Sequence, residues 1–227
     1  AFLAGADLDM ILRMTNPGQT AAEKFAKLQG LQAVFRNMEK IKKPFVAAIN
    51  GTAMGGGYEI CLACNYRIAA DNPKCQIGLP EVKVGLLPGG GGTQRLSRLI
   101  GIQAALPLML QGKGLSPKKA LAQGLIDKVV PADDLLAEAK RWILEEGKSV
   151  QPWDEKGFKI PGGGPVSPKA APVMMAGIAM AHEKAGDNYP AIQAILSCVY
   201  EGLIVPMDVG LRIEARYFTS LLLNPVA

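Results

Sequence analysis

Two glutamates and two glycine runs are the residues of this chain best suited to chemistry. Glu59 follows Gly55-Gly56-Gly57-Tyr58, and Glu81 follows Pro80, shortly before Leu87-Pro88-Gly89-Gly90-Gly91-Gly92-Thr93. Three glycines in a row let the backbone turn sharply and approach a ligand closely, because no side chain intervenes. A helix that starts at such a turn leaves its first amide N–H groups unpaired and facing outward. Those donors suit an oxyanion that develops during a reaction. Gly56 and Glu59 are three apart and share a helical face, so a backbone donor and a carboxylate can address one substrate. The same triplet also serves where a helix merely packs against a strand. Each acid has a plain use as well: Glu59 as a first-turn acid meeting the helix dipole, Glu81 as a solvated loop acid.

The stretch from Pro44 to Arg95 must position these groups. Phe45-Val46-Ala47-Ala48-Ile49 predicts a strand, followed by the first glycine turn, a helix through Cys64, further strands, and the second glycine turn into a helix over Thr93–Gly101. Ahead of it, Ala1 to Asp7 reads as an apolar strand end broken at Gly5. Asp7 to Leu12 reads as a helix start with carboxylates at its positive end, and Thr15 to Thr20 as a polar loop. From Ala21 to Lys42, Phe25, Leu28, Leu31, Val34, Phe35 and Met38 recur at helical spacing and predict a core-facing stripe. Beyond the central stretch come helices over Ile102–Gln111 and Leu115–Ala122, the second with Ser116 as N-cap, Pro117 in its first turn and Gly124 as its stop. A strand over Ile126–Val130 follows. Ala132–Glu146 is amphipathic, with Leu135, Leu136, Ala139, Trp142 and Ile143 on one face. Gln151 to Lys169 is Gly- and Pro-rich and predicts a linker or loop. Helices resume over Ala170–Lys184, Pro190–Glu201 and Val209–Leu223. The pattern is α/β with an all-helical tail, divided into 1–150 and 151–227.

The 227 residues, 49% hydrophobic and 20% charged, suit one sizeable globular domain, or one with a small appendage. No apolar run is long enough to span a membrane. Ala1 to Met10 carries Asp7 and Asp9 without a basic lead, which excludes a signal peptide. There is no initiator Met, so a fragment of a longer chain is expected. Cys61-x-x-Cys64 has no second ligand pair, and the sole histidine is His182. Zinc and Ser-His or Cys-His chemistry are therefore disfavoured, and Cys61, Cys64, Cys75 and Cys198 are expected to be buried thiols. The net charge of +5 fits either an anionic ligand or scattered surface charge. No aromatic-plus-basic RNA motif is present, nor a Gly-x-Gly-x-x-Gly turn after a strand for a dinucleotide.

In order along the chain stand Ala4-Gly5-Ala6-Asp7, Asn50-Gly51, Gly55-Gly56-Gly57-Tyr58-Glu59, Pro80-Glu81 and Gly85-Leu86-Leu87-Pro88-Gly89-Gly90-Gly91-Gly92-Thr93-Gln94-Arg95-Leu96. This series resembles the crotonase (enoyl-CoA hydratase/isomerase) superfamily over most of the first 150 residues. Gln151-Pro152-Trp153-Asp154 and Ile213-Glu214-Ala215-Arg216-Tyr217-Phe218 resemble the hydratase portion of multifunctional fatty-acid oxidation proteins, in which a 3-hydroxyacyl-CoA dehydrogenase region follows. The resemblance implies a crotonase-like spiral of strand-strand-helix units with a C-terminal all-helical region. It also implies a further stretch of strands and a helix ahead of Ala1, bearing part of the CoA pocket.

For chemistry, the resemblance implies an acyl-CoA thioester as substrate with no separate cofactor and no metal. The enolate oxyanion would be held by the N–H groups of Ala6 and Gly56. Glu59 and Glu81 match the family's catalytic glutamates, and Ala4, Gly5, Asp7, Gly55, Pro88 and Gly89 fall at substrate-binding positions. Having both glutamates favours hydration of a trans-2-enoyl-CoA to a 3-hydroxyacyl-CoA, whereas the family's isomerases often keep only the second. The alternatives are a 3,2-enoyl-CoA isomerase and a non-catalytic acyl-CoA or RNA binding module. Two carboxylates of different pKa can divide the proton transfers of hydration, and the residues leave open which takes which step. Expected partners are the acyl-CoA and further copies or a larger multifunctional chain, with no nucleic acid and no membrane span. The expected compartment is the cytoplasm if the source is bacterial, with mitochondrion or peroxisome open otherwise. Ile11, Met14 and Met109 are candidates for the acyl-tail pocket or for plain core.

Overall fold

A computed structural model describes residues 2–5, 18–185 and 189–224. The chain alternates between two small parallel sheets. Strand β1 (Val46–Ile49) pairs in parallel with β3 (Tyr66–Ala70), which pairs with β5 (Lys128–Val130), in the order β1-β3-β5. Strand β2 (Ala53–Met54) pairs in parallel with β4 (Ile77–Gly78) in the second sheet. Helix α2 (Gly56–Ala63) joins the first pair of strands to the next. This is the strand-strand-helix spiral that the motif order implied. Buried Val, Ile and Ala fill these short strands, as parallel sheets covered on both faces require.

Helix α1 (Ala21–Lys40) begins at a reciprocal capping box, in which the Glu23 N–H bonds the Thr20 hydroxyl and the Glu23 carboxylate accepts the Thr20 N–H. Its buried face differs from the predicted stripe. Leu28 and Phe35 are buried, but Leu31 and Val34 are 42% and 57% exposed, while Lys24, Gln32, Arg36 and Glu39 face inward. The reason lies in partners far along the chain. Glu39 pairs with Arg95 at 2.6 Å, both side chains fully buried, and Arg36 bonds Glu39, Asp154 and Asp208. These pairs, invisible to local periodicity, turn α1 about its axis.

Helices α3 (Gly92–Ile100), α4 (Ile102–Gln111) and α5 (Pro117–Ala122) lie where the sequence predicted them. Ser116 caps α5 through its extended backbone, without a side-chain hydrogen bond. Helix α6 (Leu135–Glu145) packs Leu135 and Ala139 on β3 and β5, and Trp142 stacks on Tyr66 with ring centroids 4.7 Å apart. Leu136 and Ile143, expected on that face, are 67% and 39% exposed. The buried stripe of α6 is thus narrower than the apolar composition suggested.

The segment after Ser149 is packed against the preceding one. Gln151 and Trp153 are buried, and the Gln151 amide donates to the Ala63 carbonyl at 2.8 Å. Helices α7 (Ala171–Ala185), α8 (Pro190–Gly202) and α9 (Met207–Leu222) contribute Met174, Ile195, Val199 and Phe218 to the same apolar cluster as Ile49, Tyr58, Leu62 and Leu106. Met109 is fully buried in that cluster, so it is core. Ile11 and Met14 lie outside the described residues.

The buried Glu39–Arg95 pair and an exposed pair such as Lys118–Asp71 should answer truncation very differently. Glu39→Ala leaves Arg95 buried without its carboxylate and should cost about 3–5 kcal/mol in urea unfolding. Lys118→Ala, at a pair 75% and 41% exposed, should cost no more than about 1 kcal/mol.

Candidate active site

The first glycine turn is held by its neighbours. The Gly55 N–H bonds the Gly78 carbonyl at 2.9 Å, and the Gly55 carbonyl accepts the N–H groups of Tyr58 and Glu59. Gly55 has φ +56°, and a Cβ there would stand 3.0 Å from Glu81 Oε1. A Cβ on Gly57 would stand 2.0 Å from the Leu3 carbonyl oxygen. So both uses of the triplet occur: Gly57 admits another strand, and Gly55 lets a carboxylate close in. The Gly56 N–H, first in α2, makes no hydrogen bond among the described residues.

Phe2 to Gly5 lies beside β2. The N–H groups of Phe2 and Leu3 bond the Thr52 carbonyl at 3.0 Å, the Met54 N–H bonds the Leu3 carbonyl at 3.1 Å, and Leu3 bridges Ala53 in parallel. Gly5, at φ +103°, comes against the Met54 carbonyl and the Gly55 turn. Ala4 is exposed beside it. Ala6 and Asp7 lie outside the described residues.

The two glutamates converge from different elements. Glu59, in the first turn of α2, is buried, and its Oε1 accepts the N–H groups of Gly90 and Gly92, both at 2.7 Å. Burial raises its pKa to about 6, against the pull of those two N–H groups and of Arg95. Glu81 opens a short 3-10 turn (Glu81–Val84), and its Oε2 is sealed from solvent without a hydrogen-bond partner among the described residues. Burial, then the charges of Glu59 and Glu214, hold its pKa well above the usual carboxylate range. An unpartnered buried carboxylate oxygen is costly unless it carries a proton. One carboxylate is thus anchored by two loop N–H groups and closer to ionisation, while the other leaves one oxygen without a partner among the described residues and holds its proton more strongly. That is the asymmetry a donor and an acceptor of protons need.

Pro88 and Gly89 are buried on the far side of Glu59. A Cβ on Gly89 would meet the Phe218 ring at 2.7 Å, and the Gly89 carbonyl accepts the Gln32 amide at 3.0 Å. Gly55, Glu59, Glu81 and Gly5 are therefore drawn together around the first turn, whereas Pro88 and Gly89 meet it only through the second loop. Glu214, in α9, is a third buried carboxylate at that loop. Its sign in the sequence is a lone acid on the apolar stripe of α9, between Leu211 and Phe218. All four cysteines are buried and free, and no cluster of three or more metal-ligand side chains occurs among the described residues. No helix among them is long and apolar enough to cross a membrane.

The family model for enoyl-CoA hydratase/isomerase matches residues 1–149. The chain belongs to this family. Among curated proteins, the fatty acid oxidation complex subunit alpha of Shewanella halifaxensis is 40% identical over 224 residues, covering 99% of this chain and 31% of that subunit. The same subunit of Shewanella amazonensis is 41% identical over 228 residues. The chain thus spans about a third of the length of these relatives. Its alignment with them runs past the family match, so the C-terminal helices are shared with the α subunits. Among solved structures, the enoyl-CoA hydratase of Bacillus anthracis is 30% identical with a TM-score of 0.56, over 96% of this chain and 67% of that one. The human mitochondrial delta3-delta2-enoyl-CoA isomerase shares the fold at 24% identity, with a TM-score of 0.57 over 93% and 73% of the two chains. Enoyl-CoA hydratases and isomerases thus both stand near this chain.

The raised pKa of Glu81 sets a sign for stability. Its folded value lies above the ordinary 4.5, so its contribution is fully present below about that pH and is lost as pH rises through the folded value. Glu81→Gln removes this penalty. Relative to the parent, the variant should therefore gain stability in urea titrations as pH rises from about 4.5 through the folded value of Glu81, and keep that gain above it.

Proposed function

We propose that the protein is an enoyl-CoA hydratase, which adds water across the 2,3 double bond of a trans-2-enoyl-CoA in fatty acid β-oxidation. The observation that carries this reading is the unequal pair of carboxylates, buried Glu59 and part-buried Glu81 with its sealed Oε2, beside a Gly56 N–H that has no partner among the described residues. The thioester oxygen accepts the N–H groups of Gly56 and Ala6, flanked by Ala4, Gly5, Asp7 and Gly55. Water oxygen attacks C3, the C2=C3 electron pair moves to C1–C2, and the thioester oxygen becomes an oxyanion held by the two donors. Glu59 takes the proton that water gives up, and Glu81 delivers its proton to C2 as the enolate collapses. A proton then returns from Glu59 to Glu81. The coenzyme A thioester is the substrate, and no separate cofactor takes part. The protein works as part of a larger multifunctional chain or a homo-oligomer, in the cytoplasm if its source is bacterial.

One observation favours a second reading, 3,2-enoyl-CoA isomerase. Glu59 Oε1 is already engaged by two backbone N–H groups, while Glu81 Oε2 has no partner among the described residues. A single mobile carboxylate suffices to move a proton between C2 and C4.

Crotonyl-CoA hydration and 3-enoyl-CoA isomerisation, measured on Glu59→Gln and Glu81→Gln, separate the two. Hydration predicts that each substitution lowers turnover about a hundredfold to ten-thousandfold with little change in KM, and that the double variant is little worse than the poorer single. Isomerisation predicts loss with Glu81→Gln alone. Near-normal hydration by Glu59→Gln, with folding confirmed by circular dichroism, overturns the two-carboxylate reading.

A further inference from the structure

The reaction proposed above uses two carboxylates, and the structure holds a third in contact with the same loop. Glu214 is fully buried in α9. Its Oε1 accepts the Gly91 N–H at 2.5 Å and the Gln32 amide at 3.0 Å. Its Oε2 accepts the Thr93 N–H at 3.0 Å and the Thr93 hydroxyl at 2.5 Å. Along the loop, successive N–H groups therefore alternate between two acceptors: Gly90 and Gly92 to Glu59, Gly91 and Thr93 to Glu214.

Peptide units joined in series cannot rotate independently, since each is planar and shares a Cα with the next. Gly91 holds φ +105°, where a Cβ would stand 1.8 Å from Arg95 Nη1. The glycines bring no side chains to hold the loop's shape, so its alternating N–H directions depend on the two carboxylates together with the bonds to its carbonyls, from Gln32 to Gly89, from the Arg95 side chain to Gly90 and from the Arg95 N–H to Gly91. We infer that Glu214 is a positioning residue of the active site, which sets the peptide planes from Gly90 to Thr93 and through them the direction of the Glu59 carboxylate. The inference rests on the role proposed for Glu59.

The charged and titratable groups facing Glu214 are Glu59 from α2, Glu81 from its 3-10 turn, Arg95 and Arg98 from α3, and Cys198 from α8. A negative charge at Glu214 raises the pKa of Glu81.

The test compares the parent protein with Glu214→Gln, Glu214→Asp and Thr93→Val by amide hydrogen exchange on 15N-glycine-labelled samples and by crotonyl-CoA kinetics. Glu214→Gln should speed exchange at Gly90 and Gly92 at least tenfold, although their own acceptor Glu59 is untouched. It should lower kcat roughly ten- to a hundredfold with KM within threefold, the scale of a misplaced catalytic group. Glu214→Asp should recover part of kcat. Thr93→Val, which removes one donor to Glu214, should give a smaller change in the same direction and serves if Glu214→Gln does not fold. Unaltered Gly90 and Gly92 exchange, or lost stability with kcat unchanged, overturns the positioning role. A parent protein without enoyl-CoA turnover overturns the hydratase reading instead, and exchange still decides the positioning.

Discussion

Buried backbone N–H groups must find acceptors, and those from Gly90 to Thr93, in the turn and the first residues of α3, have no helical carbonyl to bond. Glu59 and Glu214 supply them instead, one carboxylate on each side of the loop. Much of the surrounding structure follows from this constraint. Helix α2 must end its strand-to-helix turn so that Glu59 points at the loop. Helix α9 must lie behind the loop to deliver Glu214. Arg95 must reach back along α3, where it donates to the Gly90 carbonyl at 2.8 Å and is itself held by Glu39.

The same arrangement crowds three carboxylates into a dry region. Burial pushes the pKa of Glu59 to about 6 and that of Glu214 to about 8, and that of Glu81 well above normal. Such a cluster stabilises a protein poorly compared with apolar packing. Perturbed groups of this kind concentrate where proton transfer is required. The cations nearby are committed elsewhere: Arg95 to Glu39 and Gly90, and Arg98 to the carbonyls of Gly202 and Val205. Burial lowers the pKa of Arg98 to about 10. Positive charge therefore tempers Glu59 and Glu214 through space, without an ion pair to either of them or to Glu81 among the described residues.

The C-terminal helices are a wall of this site. A Cβ on Gly202 or Gly210 would come within 2.3 and 2.6 Å of Gln94 Oε1, so α8 and α9 approach α3 closely because those positions are glycine. Gln94 in turn donates to the Cys198 carbonyl. These helices are shared with the α subunits of fatty acid oxidation complexes. In this family member, the strand-rich segment provides the first glycine turn, and the helical segment fixes the second.

Local order was legible in the chain. The run of Val46 to Ile49, the glycine triplet, the Ser116-Pro117 start of α5 and the breaks at Gly101 and Gly124 carry their conformations in residue type, because steric limits and backbone hydrogen bonds act over a few residues. The ordered series of motifs named the family, and with it the pairing of Glu59 and Glu81. Orientation was not legible. Which face of α1 is buried depends on Arg95, Asp154 and Asp208, and the inward place of Glu214 depends on a loop more than a hundred residues earlier. Residue type and spacing determined which groups were available for chemistry. Only the tertiary structure decided that Glu59 is anchored, that Glu81 Oε2 has no partner among the described residues and that Glu214 joins them, because burial and long-range hydrogen bonds set the charge of a carboxylate.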